Sequence, residues 1–310
     1  MLNVFASDAV GIFFFYTGYN LLYGYIHKEG TSWTKGYWRK KITRIYLPFV
    51  LMNLVFQIYW WLLGKGPYDI KIIIECLLGF YVLGTTLWYI QSVMLVYALF
   101  YVVFRLAQLM TRGGKTRCIS AVCSIVVVVI YSALYARFGA YIAPDSIFPL
   151  SLLAGMLFAI SEDKLAKFIR RYKWELFFSL AFVSFVLHRY GVYGYRLVIA
   201  EKIELYEILR PLATALAANA LIVDEEIKSP VLSKISSISL PLYLTHTIYY
   251  QILRSELIYI KGDLAYMVVY LICLTITALG MKKLIELNET LYPRIVNKLP
   301  GRASNFILNV

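Results

Sequence analysis

Nine apolar stretches set the first limit on what this chain can fold into: residues 9–27, 45–63, 86–104, 118–136, 147–160, 174–188, 207–223, 236–253 and 264–281. A helix rises about 1.5 Å per residue, so ~20 residues cross a hydrocarbon core about 30 Å thick. Lipid offers no partner to backbone N–H and C=O groups, so such stretches form helices whose bonds close within the segment. Charged residues are 16% of the chain, against about a quarter in soluble domains, and they gather in short islands between the stretches. The fold class expected is all-α, a polytopic transmembrane helix bundle with about nine spans. Soluble enzyme folds are excluded. A further apolar run, 72–84, is short and contains Glu75, and reads as an interfacial or re-entrant piece before the third span.

The charge islands give an independent test of the count. Taken alternately from the first span onward, 28–44, 105–117, 161–173, 224–235 and the tail from 282 hold 22 Lys and Arg, and the remaining loops hold 8. That bias places the first set, and the C-terminus, in the cytoplasm of a plasma-membrane protein. It also accounts for the net charge of +13 without a nucleic-acid partner, since no basic stripe lies on a polar domain. With nine spans and a cytoplasmic tail, Met1 falls outside, so one span is expected to be missing ahead of the first. No repeat or linker divides the chain; one membrane domain, 1–289, and a short cytoplasmic tail, 290–310, are expected.

Three segments could carry chemistry. In 11–20 (GIFFFYTGYN), Gly11, Thr17 and Gly18 permit close helix approach, and the segment reads as packing. In 37–50, Arg39, Lys40, Lys41 and Arg44 lie just cytoplasmic of a span that opens with Pro48. They read either as a positive-inside anchor or as a polyanion site, where Arg forks grip phosphate bidentately and Lys adds point charge. In 239–250, His246 falls about ten residues into its span. An ionisable group at that depth faces protein or a water-filled cavity. It is either a histidine hydrogen-bonded inside the bundle, with Tyr243 on the same face as a partner, or a general base working near neutral pH.

The outer stretch 188–196 (HRYGVYGYR) reads as an interfacial aromatic belt or as a sugar-binding surface. Cys76, Cys118, Cys123 and Cys273 are scattered, and no metal-ligand spacing, nucleophile elbow or phosphate-cradling glycine loop is present. No metal is expected.

Taken together, four segments resemble the acyltransferase-3 family of integral membrane acyltransferases. They are Phe14-Phe15-Tyr16-Thr17-Gly18-Tyr19, the run from Lys40 and Lys41 through Arg44 to Pro48, Leu87-Trp88-Tyr89, and Leu240 through Tyr243 to His246. The resemblance covers about 9–285. It implies about ten spans and transfer of an acyl group, commonly acetyl from acetyl-CoA, to hydroxyls of surface polysaccharides or related glycosides.

Under it Arg39, Lys40, Lys41 and Arg44 hold the acyl-CoA co-substrate, Lys41 standing where the family's basic pair has its first arginine. Tyr243 and Trp88 support or bind substrate. The partners implied are the lipid bilayer and a carbohydrate acceptor, surface glycan or lipid-linked sugar. The family's catalytic histidine is expected on a helix before the Phe-Phe run, and this chain is expected to lack that first transmembrane helix. His246 is then the remaining histidine to act as base. Two other classes stand beside the enzyme: a catalytically inactive relative acting as an assembly partner, and a transporter or flippase of a lipid-linked sugar.

Overall fold

The computed structural model describes residues 2–28, 32–66, 69–79, 87–111, 116–142, 148–192, 198–200, 203–222, 229–256 and 258–296. Within them each apolar stretch falls on a helix: α1 (Leu2–His27), α2 (Tyr37–Lys41), α3 (Leu47–Leu62), α4 (Ile70–Leu78), α5 (Trp88–Met110), α6 (Arg117–Ile142), α7 (Phe148–Arg171), α8 (Lys173–Val192), α9 (Leu205–Ile222), α10 (Pro230–Ile252) and α11 (Asp263–Val296). A π-helical turn, Ile42–Tyr46, joins α2 to α3. Two short antiparallel strands, β1 (Val198–Ala200) and β2 (Ile203–Glu204), precede α9.

Four stretches, Ser32–Leu62, Trp88–Met110, Arg117–Tyr135 and Asp263–Leu291, are long and apolar enough to cross a membrane. Their outward faces carry large apolar side chains such as Ile58, Val102, Val129 and Ile276, each more than half exposed. Lipid satisfies such faces where water would not. The chain is a membrane protein.

Its helices gather into two compact units. One holds Met1–Trp33 and Leu95–Ile227, the other Thr34–Met94 and Lys228–Val310.

In the first unit α1 lies against α7 and α9, α7 against α6, and α8 against α9. Gly11 and Gly18, expected to permit close packing, sit at these contacts, and Gly155, which the sequence did not single out, joins them. A Cβ on Gly18 would strike the Leu152 carbonyl, one on Gly155 the Phe15 carbonyl, and one on Gly11 the Pro211 ring. The α1 and α7 backbones thus touch, leaving Phe14, Phe15, Leu152 and Met156 fully buried around the contact. Tyr19 donates to Glu162 Oε1 at 2.8 Å, satisfying both polar groups beside that apolar seam. Further along α1, the Tyr25 ring packs edge-on to Trp33 and Phe104, and Trp33 Nε1 donates to Gln108 at 3.1 Å. Buried N–H groups need such partners.

In the second unit α3 packs on α4 and α10, α10 on α11, and the π-helical turn on α3 and α11. The 72–84 run contributes α4, capped by Asp69, which accepts from the Lys71 amide, and ended by Gly79 at φ +81°. Its residues 80–84 lie outside the described residues. Cys76 on its inner face is fully buried, and Tyr46 donates to the Leu77 carbonyl at 2.8 Å. Helix α11 continues to Val296, into the stretch read as tail, and 297–310 lie outside the described residues.

Candidate functional site

Tyr243, His246, Trp88, Arg39, Lys40, Lys41 and Arg44 all fall in the second unit. On α10 Pro241 brings no N–H to the helix, and Thr245 turns its hydroxyl back to the Pro241 carbonyl at 2.8 Å. His246 follows on the next residue. Its Nδ1 lies 2.5 Å from the Tyr243 carbonyl oxygen, and Thr247 Oγ1 lies 3.3 Å from Nε2. A carbonyl only accepts, so the first contact puts the imidazole proton on Nδ1 and leaves Nε2 with its lone pair. Neutral imidazole in that tautomer is a proton acceptor at Nε2. The sequence pointed to Tyr243 as the partner of His246; the group that holds the ring is its main-chain carbonyl, not its hydroxyl.

The Tyr243 ring meets the His246 ring at 5.5 Å and packs edge-on to Tyr89 at 5.3 Å. Tyr89 directly follows Trp88, the half-buried first residue of α5, and the buried Leu87 accepts from the Ile90 amide before it. The two motifs, over 150 residues apart in sequence, therefore meet through a tyrosine pair. Tyr89 was legible only as a member of its motif.

The basic cluster is built differently. Gly36 opens α2 at φ +63°, and the π-helical turn then carries Arg44 around the axis with one residue more than an α-turn holds. Thr43 anchors that turn by donating to the Arg39 carbonyl at 2.9 Å. Lys40 is exposed, and Lys41 Nζ sits 5.6 Å above the Tyr37 ring. Arg44 Nε donates to Glu289 Oε1 of α11 at 2.5 Å, with 59% of the Arg44 side chain exposed. Glu289 was not foreseen, because nothing local in sequence points from residue 289 to residue 44.

Helices α10 and α11 run antiparallel. Lys282 Nζ donates to Ser237 at 2.9 Å, and Tyr249 meets Thr277. His246 therefore lies on the order of 15 Å along α11 from Glu289 and the Arg44 it holds.

Among the described residues no cluster of His, Cys, Asp and Glu could hold a metal. Burial pushes the Cys76 thiol up to about 11, Gln57 opposing the shift, so no thiolate nucleophile forms there near neutral pH. In the first unit Arg210, which in sequence carried no motif, is 2% exposed on α9. Of the 188–196 stretch, residues 193–196 and the side chains of 188–192 lie outside the described residues.

A model of the acyltransferase-3 family, described as an acyltransferase domain, matches residues 1–281. No curated protein matches the chain, and no solved structure does.

Proposed function

Since the chain belongs to the acyltransferase-3 family, we propose that it is an O-acyltransferase moving an acyl group, acetyl foremost, from acyl-CoA to a hydroxyl of a cell-surface polysaccharide or related glycoside. The observation that carries the reading is the contact of His246 Nδ1 with the Tyr243 carbonyl, which in the neutral ring leaves the lone pair on Nε2, beside Thr247 Oγ1 at 3.3 Å. In the reaction Nε2 takes the proton of the acceptor hydroxyl while its oxygen attacks the thioester carbonyl. The new C–O bond forms as the C–S bond breaks, and the imidazolium returns the proton to the leaving thiolate.

The basic cluster supports the donor half of the reading. A phosphorylated coenzyme suits Arg39, Lys40, Lys41 and Arg44, whose charges lie where the positive-inside bias puts the cytosol. The ~15 Å along the helices between Arg44 and His246 is a distance that a long, slender thioester arm bridges and a compact donor does not. Nine spans in the plasma membrane with a cytoplasmic C-terminus complete the reading.

The test is transfer of label from radioactive acetyl-CoA to glycan in membranes carrying the protein. The reading expects incorporation that His246→Ala removes while the purified variant keeps its melting temperature. Equal incorporation by the two proteins would overturn the role of His246, and none above control membranes would overturn the reading itself.

A further inference from the structure

In the first unit a cavity of about 450 Å³ runs along α7, bounded by α8, α9 and Phe15 of α1. Its lining is apolar, Phe158, Leu165, Leu180 and Leu216 among it, and Ser161 is the one polar lining residue among those described. From Ala154 to Ile169 the lining follows α7 for about 22 Å, at about 1.5 Å per residue. One leaflet of a bilayer holds ~15 Å of hydrocarbon, so an acyl chain fits along the helix within this space.

The walls are held apart. Helix α7 is pinned to α1, where Gly18 and Gly155 bring the two backbones together and the Phe158 ring packs edge-on to Phe15 and Tyr19. Helix α8 is pinned to α9, where the Ser184 and Thr214 hydroxyls meet at 2.7 Å. Although α7 and α8 are joined at Tyr172, they scarcely pack on each other. Apolar side chains without a neighbour forfeit dispersion contacts, and a lipid tail supplies them. Leu157 and Phe168, 40% and 51% exposed, line the cavity and form the rim by which such a tail enters.

At one end the apolar lining gives way to charge. Lys164 lies three residues after Ser161 and four before Phe168, and Arg171 lies three after Phe168, so both share the cavity's side of α7. Both are exposed, as is Lys167. Of the acids nearby, Glu162 accepts from Tyr19 and Asp163 pairs with Arg117 at 2.9 Å. Glu175 remains, against five Lys and Arg in 161–173. Tyr172 and Trp174, 37% and 55% exposed, set two amphipathic rings at the same level, as aromatic belts do beside lipid headgroups. The loop-charge bias assigns this end to the cytosol, the side on which basic pockets between helices hold anionic headgroups.

We propose that this cavity binds an anionic phospholipid of the cytoplasmic leaflet, one acyl chain lying along Phe158, Leu165 and Leu180 and the phosphate between Lys164 and Arg171. A zwitterionic lipid offers the same tail without net charge, and a soluble phosphate offers the charge without the tail. An anionic lipid answers both halves of the site. The site is built wholly within the first unit. It makes no use of the acyltransferase reading and rests instead on the orientation read from the loop charges.

The experiment is native mass spectrometry of the full chain in detergent, titrated with phosphatidylglycerol or with phosphatidylcholine of the same acyl chains. Wild type is expected to take up one phosphatidylglycerol about tenfold more tightly than phosphatidylcholine. Lys164→Gln combined with Arg171→Gln changes two exposed side chains and is expected to erase that preference while the melting temperature stays the same. Leu157→Trp, which fills the rim, is expected to weaken both lipids about tenfold. Lys40→Gln combined with Lys41→Gln removes two charges from the other basic cluster and is expected to change neither affinity. Equal affinity of wild type for the two lipids, a preference that survives loss of Lys164 and Arg171, or unchanged binding in Leu157→Trp would overturn the site. So would an equal loss of preference on removing Lys40 and Lys41, which would reduce the binding to net charge.

Discussion

Arg44 and Glu289 lie 245 residues apart in the chain and share one charge-assisted hydrogen bond between the π-helical turn and α11. The pair is partly solvent-exposed, so it contributes at most about 1 kcal/mol to stability. If Arg44 holds the donor as proposed, the larger effect of the pair falls there, because a phosphate would compete with Glu289 for the same guanidinium. Arg44→Ala is expected to raise the KM for acyl-CoA about tenfold. Glu289→Gln is expected to lower it by up to about fivefold. Steady-state kinetics with acetyl-CoA varied at fixed acceptor check both, and a rise in KM in Glu289→Gln would sink the competition.

His246→Ala is expected to cut acyl transfer by about 10²–10⁴-fold, the range that a positioned general base contributes. Single-turnover rates with saturating donor separate this from a binding defect. A loss matched by a fallen melting temperature would instead assign His246 to packing.

Gly155→Ala places a methyl group against the Phe15 carbonyl and 3.0 Å from the Tyr19 amide nitrogen. The backbone there has nowhere to yield, and a cost of about 1–3 kcal/mol is expected. Gly24, on the same α1 helix as Phe15, has nothing within 4 Å of the added carbon, so Gly24→Ala is expected to stabilise by about 0.5–1 kcal/mol. Thermal unfolding in detergent distinguishes them by the sign of the shift.

The contrast between those two glycines also marks what the sequence made readable. The apolar stretches became helices because hydropathy alone decides what a segment does in lipid, and the small residues of 11–20 were readable as packing. Which helix they met, α7 at Gly18 and α9 at Gly11, depends on the tertiary arrangement. The pairing of Tyr243 with His246 was visible because it is local, three residues along one helix. Glu289 opposite Arg44 was not, since that pair joins segments that no periodicity links. The π-helical turn was equally hidden, because Ile-Thr-Arg-Ile-Tyr has no glycine or proline to announce it.

Lys40→Cys is expected to react with an impermeant maleimide in inverted vesicles and not in intact cells, and Lys261→Cys to do the reverse. Both lysines are exposed. The loop-charge bias predicts opposite sides. Labelling of the two from one side would overturn the orientation read from the charges.

Cys118 is exposed and Cys76 fully buried. With the Cys76 thiol pushed up to about 11 by burial, its thiolate is scarce at neutral pH. Maleimide is expected to modify Cys118 in the folded protein, and Cys76 only after unfolding. Peptide mass spectrometry reads both sites, and early labelling of Cys76 would show that α4 does not stay packed.

The π-helical turn is an α-helix carrying one residue beyond what its turn requires. In a gene that surplus is a single codon. Deleting one residue between Ile42 and Tyr46 restores ordinary winding and leaves Arg39, Lys40 and Lys41 at nearly the same angle to α3, because the wider turn had absorbed the extra step of about 100°. The charged collar and the membrane span can therefore gain or lose that residue in evolution without turning against each other.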